Sequence, residues 1–366
     1  MGISIGQPMA DRQLQRAGDN SQLVQVAGDL VQGGVTYDEA NTIAEIQARK
    51  VAAEHFAAGE ALANERMERL NQRVLQTLQA VERLAAFADP SFQISLKRAQ
   101  LGAACTDEDA DYDMLAQLLS DRATRGDHRK VRAGLDLAIQ VVDQLDPVAL
   151  AGLTVFQAAL QWRPVGGTLG QALDTWDRLF SQLPTEHLPP ASDAEWLDHL
   201  DVLGIVRVST IGSMIKYDEL LSRLVPGLAC GGVEAGSEDE ASGLAKLHEV
   251  GMSLPRIEHE LKPGYRRLPW CAPDILELQL AEQAQFTPQQ VAVAVDVARD
   301  TYKIGQHDAG LRAPLMERVR ALPHLGRVPD WWDAIPHAVE VTSVGRVLAR
   351  ANAKRCDLLK MLPALD

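Results

Sequence analysis

Histidines and carboxylates that could bind a metal ion are concentrated in two short stretches. His248-Glu249 and Glu258-His259-Glu260 together carry two imidazoles and three carboxylates. These donor types suit a divalent cation if the intervening residues bring the two stretches together. Their spacing matches no ligand motif such as His-Glu-x-x-His, so solvated polar side chains are the simpler interpretation. We therefore predict no metal site and no cofactor.

A second combination of residues, Asp239 with Glu260-Leu-Lys262, resembles the carboxylate-lysine arrangement of nucleases. Those enzymes hold such residues on apolar strands, whereas Pro255 and Pro263 flank the second group here. The sequence has no Gly-x-Ser-x-Gly elbow and no Walker phosphate-binding loop. It therefore indicates no catalytic residue and favours a non-catalytic protein. The alternative is a metal-dependent hydrolase or nuclease whose site is assembled only in the fold.

Aromatic and arginine side chains form the most unusual grouping in the C-terminal third. Trp, Tyr and Arg are concentrated at the energetic centres of protein interfaces. The candidate partner-binding residues are Tyr265, Arg266, Trp270, Trp331 and Trp332. Packing within the C-terminal domain is the alternative explanation.

The charge balance of the 366-residue chain opposes binding to phosphate backbones. Fifty acidic residues outnumber 36 Lys and Arg, which gives a formal net charge of -14. The basic stretch from Arg122 to Arg132 contains Asp127, so we interpret it as a solvated helix face and consider nucleic acid an unlikely partner.

Cysteine usage and hydropathy favour a cytoplasmic protein. The four cysteines form no Cys-x-x-Cys motif, which argues against a disulfide framework and a zinc module. We expect no signal peptide, and no apolar run approaches the ~18 residues that a membrane span needs. We therefore expect no constitutive membrane insertion.

The segment before Thr36 predicts a flexible arm followed by a short β oligomerisation element over residues 1–35. Turn residues at Gly28-Asp29 and Gly33-Gly34 separate β-branched stretches. An isolated hairpin is marginal in water and its edges need cover, which a second copy of the same segment provides. The predicted contact residues are Leu23, Val24, Val26, Leu30 and Val31. The alternative is that the segment folds on its own chain or stays flexible.

A long helix is predicted over residues 36–88. Thr36-Tyr-Asp-Glu39 matches a capping box, and no proline follows until Pro90. Apolar residues recur at coiled-coil spacing for about three heptads. Met67, Leu70 and Val74 are the predicted oligomerisation residues of this helix, with Val81 and Leu84 continuing the pattern. The alternative is a long helix packed on its own domain.

The remainder of the chain predicts a mainly α protein with minor β structure. Residues 89–165 read as a helical bundle or short solenoid, and residues 166–366 as a mostly helical C-terminal domain. Alternating patterns at 204–209 and 338–342 predict two strands that pair in a small sheet. The glycine-rich, acidic stretch 231–243 predicts a mobile surface loop.

Three stretches resemble an uncharacterised bacterial family. The first is Gly18-Asp-Asn-Ser21 with Gln25-Val-Ala-Gly-Asp29 and the Thr36-Tyr-Asp-Glu39 helix start. The second runs from Asp89-Pro90 to Leu118-Leu119-x-Asp121-Arg122, and the third is Val341-Thr-Ser-Val-Gly345 with Ala349 to Asn352. The resemblance implies no established activity, and similar Gly-Asp-Asn-Ser segments imply an association with phage defence.

These features together predict a homo-oligomeric scaffold, sensor or effector, with antiviral defence as its setting. Its first expected partner is a further copy of itself, and the second candidate partner is another protein. The alternatives are the metal-dependent hydrolase or nuclease already named, and a membrane-acting effector whose amphipathic helices insert on activation.

Overall fold

The computed structural model describes residues 37–363 and residue 365. In this part of the chain the helices are α1 (Tyr37–Ala80), α2 (Pro90–Cys105), α3 (Asp109–Arg125), α4 (Arg129–Val141), α5 (Pro147–Gln161), α6 (Leu169–Phe180), α7 (Glu195–Val202), α8 (Tyr217–Leu224), α9 (Glu238–Glu249), α10 (Pro273–Ala281), α11 (Pro288–Asp300), α12 (Ala309–Arg320), α13 (Val328–Asp333) and α14 (Ser343–Cys356). The strands are β1 (Val206–Ser209), β2 (Val233–Glu234), β3 (Ile257–Glu258), β4 (Tyr265–Arg267) and β5 (Ala338–Val341). The predicted mainly α fold with minor antiparallel β structure is confirmed.

The predicted β element and the capping box lie outside the described residues. These predictions concern Leu23, Val24, Val26, Leu30, Val31 and Thr36. They stay predictions.

The long helix α1 ends earlier than the sequence pattern predicts, at Ala80 instead of 88. Glu82 adopts a positive φ of 55°. Its amide bonds to the carbonyl of Gln79, and the amide of Arg83 bonds to that of Leu78 at 2.9 Å. This pair of bonds is the Schellman arrangement, in which the left-handed residue is usually glycine. Because glutamate is not typical of that position, the sequence gives no signal for the end of this helix.

Helices α2, α3 and α4 pack against one another and form the first part of the core. The second half of α1 contributes Leu70, Val74 and Leu78 to the same hydrophobic cluster. Arg66 donates to the carbonyl of Ala104 at the end of α2. These buried residues recur at spacing four and form one row on the helix. This part of α1 therefore packs against the core of its own chain.

Helix α14 packs against α3, α4 and α5, so residues distant in sequence share one core. Thr342 caps the helix by accepting from the amide of Gly345. A side chain on Gly345 would collide with the carbonyl oxygen of Ile205, so this close approach requires glycine. Asn352 donates to Thr154 at 2.8 Å, and both side chains are buried. The Thr-Ser-Val-Gly stretch thus has a physical role in joining β5 to α14.

Two small antiparallel sheets complete the fold of the described residues. Strands β1 and β5 pair with Val206 opposite Val341, as the sequence predicts. Strand β4 lies between β2 and β3 in the second sheet.

The stretch predicted as a mobile loop, 231–243, is an ordered strand and the start of a helix. Gly232 and Gly236 have positive φ angles of 64° and 79°, which permit the tight turns around β2. Ser237 then caps α9, and the acidic residues occupy its first turn, where the helix dipole favours negative charge. The prediction of a loop was therefore wrong because acidic helix-start chemistry resembles loop composition.

The chain divides into two compact units between Gly59 and Glu60. In the second unit one large hydrophobic cluster runs from Leu70 to Leu365, and a smaller cluster joins α9, α10 and α11. Apart from the earlier end of α1, the predicted domain limits at residues 36–88, 89–165 and 166–366 stay predictions.

Candidate functional site

The first 23 residues of α1, Tyr37–Gly59, form an exposed helical segment that we call the leading segment. Its side chains are exposed wherever the structure describes them. Tyr37 and Phe56 are 81% and 79% exposed. Ile43, Ile46 and Val51 are also exposed. These five exposed apolar side chains make the leading segment a candidate interaction surface.

The other predicted oligomerisation residues of α1 have a different environment. Leu70 and Val74 are 0% and 1% exposed and lie in the core of the same chain, while Met67 is half-buried. Val81 and Leu84 follow the end of the helix. The coiled-coil interpretation of Leu70 and Val74 is thus corrected, because side chains buried in their own chain present no surface to a second copy.

Trp331 and Trp332 are core residues, which corrects their assignment as partner-binding residues. Trp332 stacks on Phe156 with ring centroids 4.6 Å apart and donates from Nε1 to the carbonyl of Ile215. Trp331 donates to the carbonyl of Pro189. Both indole N–H groups are satisfied by backbone carbonyls, as expected for buried tryptophans. These two tryptophans therefore pack inside the protein, which was the alternative to partner binding.

The three remaining residues of that grouping lie around β4 and are half-buried. Arg266 pairs with the buried Glu240 at 3.0 Å. Tyr265 lies under the Lys262 ammonium, 4.0 Å from the ring centroid. Trp270 donates to Gln279. Each makes internal contacts, so the five predicted residues do not form one surface patch.

The histidine and acidic stretches predicted as solvated polar residues include buried structural groups. His259 is buried, and its Nε2 lies 2.8 Å from the carbonyl oxygen of Cys230. The amide of Leu261 donates to its Nδ1, which assigns the proton to Nε2. Burial is the largest influence on the His259 pKa and lowers it. His259 therefore acts as a neutral clamp on the backbone before β2.

Glu260, whose side chain is 30% exposed, forms an ion pair with Arg267, whose side chain is inaccessible to solvent. The guanidinium donates to both carboxylate oxygens, at 2.9 and 3.1 Å. The amide of Leu169 at the start of α6 also donates to Glu260. Burial alone would raise the Glu260 pKa, but these hydrogen bonds and the charge of Arg267 outweigh it, so the pKa is lowered. The pair joins β4 to α6.

Metal-ligand geometry is absent from the described residues: no group of three or more His, Cys, Asp and Glu side chains there could hold an ion. The carboxylate of Glu260 is engaged by Arg267, and Lys262 donates to the carbonyl of Gly231. The four cysteines are free thiols. No helix within residues 37–363 is long and apolar enough to cross a membrane.

A serine–histidine contact that the sequence pattern missed joins α8 to the loop before α12. Ser222 Oγ lies 3.1 Å from His307 Nε2, and Arg312 Nε donates to the same nitrogen. Burial, followed by the charge of Arg312, lowers the His307 pKa. His307 Nδ1 is buried without a hydrogen-bond partner among the described residues. The contact lacks the carboxylate that orients the histidine of a catalytic triad.

A cleft with a volume of about 290 Å³ lies between α4 and α14, and we call it the cationic cleft. Its apolar floor and cationic rim come from residues about 200 positions apart. The lining residues are Arg125, Lys130, Val131, Gly134, Leu135, Ser343, Arg346, Val347, Arg350 and Leu365. Four of these ten are Lys or Arg, and none is acidic. A positive cleft on a strongly acidic chain is a candidate site for a small anion.

The basic stretch from Arg122 to Arg132 divides between the core and this cleft. Arg122 is buried and donates to Ser91 and Asp136. Arg125 and Lys130 line the cleft instead. The interpretation as a solvated face therefore holds for only part of the stretch. The cleft could not be found from sequence, because its other cations lie on α14.

The fold defines a mainly α-helical protein with two small antiparallel sheets in its described residues. A protein-family model whose description reads only ":-like" matches residues 34–254, more than half of the chain, and the chain belongs to that family. No curated protein and no solved structure matches the chain.

Proposed function

We propose that this protein is a non-catalytic homo-oligomer that acts as a scaffold, sensor or effector, and that the leading segment contacts a second copy. The observation that supports this proposal is the exposure of five large apolar side chains within 20 residues of helix. These side chains are Tyr37, Ile43, Ile46, Val51 and Phe56.

Helix energetics favour a partner for this segment. Isolated helices are marginal in water, and most helical stability in proteins comes from packing of an apolar face. Burial of a large apolar side chain contributes about 1.5–3 kcal/mol. A second copy of the chain carries the same exposed apolar side chains and is present wherever the protein is present, so it can bury them. The segment also carries both signs of charge, including the Glu45–Arg49 pair at 2.6 Å, so two copies approach without strong repulsion.

The proposal is tested by measuring the mass in solution across a concentration series. We expect the full chain to exceed the monomer mass at micromolar concentration, and the double variant Ile46→Ser, Phe56→Ser to shift toward the monomer. Leu101→Ser is the matched control, because Leu101 is an exposed leucine on α2. A monomeric wild-type chain would refute the proposal. A chain without residues 1–35 separates the contribution of Leu23, Val24, Val26, Leu30 and Val31.

The defence setting implied by the family resemblance is part of the proposal and needs a cellular test. Cells expressing the chain should reduce phage plaque numbers, and the double variant should lose that protection if assembly is required. Equal plaque numbers with and without the chain, across a panel of phages, would count against this setting.

A further inference from the structure

We propose that the cationic cleft binds a small soluble amphiphile that carries one carboxylate or phosphate on a short apolar body. This inference goes beyond the proposed function and does not depend on self-association. It rests on the juxtaposition of Lys130 and Arg346 with an apolar floor.

The floor of the cleft suits an apolar body. Val131, Leu135, Val347 and Leu365 line it, and Gly134 leaves the space that a side chain would fill. Its volume of about 290 Å³ lies just below the range for ligand pockets, about 300–1,000 Å³. The cleft therefore accommodates a short chain or a single ring, and not a large cofactor.

The rim suits an anionic group. Lys130 and Arg346 are exposed at the mouth. Arg346 donates from Nη1 to the carbonyl of Val341, and this bond uses one of the five donors of a guanidinium. The positive charge of Arg350 is partly offset by the carboxylate of Asp121, 3.8 Å away. The same carboxylate also pairs with Lys354. Arginine and lysine together favour a carboxylate or a phosphate.

The position of the cleft on α14 adds to this preference. Ser343, the first residue of that helix, lines the cleft. The amino end of a helix carries a partial positive charge, which has the same sign as the side chains of the rim. Ser343 itself faces Gly134 with its carbonyl oxygen and side chain.

The experiment is titration calorimetry of the full chain with octyl phosphate below its micellar concentration. We expect saturable one-to-one binding. Octanol, which has the same chain without the anion, should bind at least about tenfold more weakly, and methyl phosphate should also bind more weakly because it lacks the apolar body. Octanoate distinguishes a carboxylate ligand from a phosphate ligand.

Two kinds of variant locate the binding. The double variant Lys130→Gln, Arg346→Gln should weaken octyl phosphate binding by about tenfold or more. Arg129→Gln, a neighbouring exposed cation that does not line the cleft, should change affinity by less than about twofold. Gly134→Leu should block the cleft. A Cβ at Gly134 meets no atom closer than 3.8 Å, so the first carbon of the new side chain fits without a backbone clash.

Three results would overturn the inference. These are no saturable binding of octyl phosphate or octanoate, equal affinity for octanol, and equal loss in Arg129→Gln and in the cleft variant. Binding to phosphatidate vesicles without binding to the soluble probe would also contradict it, because it would assign the cations to a membrane surface.

Discussion

The two halves of α1 have similar composition but opposite environments. In the leading segment Ile43, Ile46 and Phe56 are exposed, whereas Leu70 and Leu78 in the second half are fully buried. Residues 70, 74 and 78 follow one another at spacing four and form a single row on the helix. The five apolar residues of the leading segment follow one another at spacings of six, three, five and five, so they are spread around the helix. A continuous row is typical of packing within the chain, and the leading segment has no such row.

The largest expected effect is a loss of stability from truncating the buried row. Leu70→Ala should lower the free energy of unfolding by about 2–5 kcal/mol, because it leaves a cavity in a closed core. Leu75 is a matched control on the same helix, since it is half exposed. Leu75→Ala should change stability by less than about 0.5 kcal/mol. Urea denaturation of both variants measures the difference, and equal losses would contradict the described packing.

Ion pairs show the same contrast between buried and exposed groups. Glu260→Gln should destabilise the chain by about 1.5–3 kcal/mol, because Arg267 loses its charged acceptor while the amide oxygen keeps one bond. Glu45→Gln, which removes an exposed pair in the leading segment, should change stability by less than about 0.5 kcal/mol. Urea midpoints at neutral pH compare the two variants. A larger effect at Glu45 would reverse the comparison.

The Glu260 pair also predicts a direction for pH dependence. The pKa of Glu260 is lowered in the folded chain relative to its ordinary value of 4.5. Its stabilising contribution is therefore complete above that value and is lost as the pH falls through the lowered folded pKa. Denaturation at several pH values should show a difference between wild type and Glu260→Gln that narrows in acid. A difference that widens in acid would mean that the carboxyl is stabilised in its protonated form.

A smaller effect is expected from the charged contacts of α1 with α3. Arg73 pairs with Asp109 at 2.8 Å and with Asp113 at 2.7 Å, and its guanidinium lies 5.2 Å from the Tyr112 ring centroid. Arg73→Gln should cost about 1 kcal/mol, and the cost should decrease at high salt because both carboxylates are exposed. Arg69→Gln, which removes only a pair with Glu65 on the same helix, is the control. A salt-independent cost would assign the effect to packing on Tyr112.

For the described residues, the sequence predicted the location of helices and strands better than it predicted which side chains contact one another in the fold. Helical periodicity located most helices, and alternation located the pairing strands β1 and β5. The burial of Trp331 and Trp332 could not be inferred, because a Trp pair has the same composition in a core and at an interface. The burial of Arg267 had no sequence signal either. Its partner Glu260 stood among residues that could bind a metal ion, so the sequence did not indicate an ion pair between the two.

The candidate sites were predictable only in part, for a physical reason. Helix starts depend on residues within one turn, so the caps at Thr342 and Ser237 have local sequence signals, although loop-like composition obscures the one at Ser237. The cationic cleft depends on Lys130 meeting Arg346 across more than 200 residues, which only the packing of α14 on α4 determines. The spacing of residues along the chain does not indicate contacts between such distant residues unless the tertiary fold is known.

The smallest expected effect concerns Gly59, where the leading segment ends. A Cβ at Gly59 would meet no atom within 4 Å, and glycine inside a helix costs roughly 0.5–1 kcal/mol relative to alanine. Gly59→Ala should therefore slow amide exchange in the surrounding turns by about two- to fivefold. Ala58→Gly should accelerate exchange to a similar extent, because Ala58 is also exposed. If Gly59→Ala instead lowers the mass in solution, the backbone at Gly59 is approached closely by a second copy, and the contact with that copy extends to the end of the leading segment.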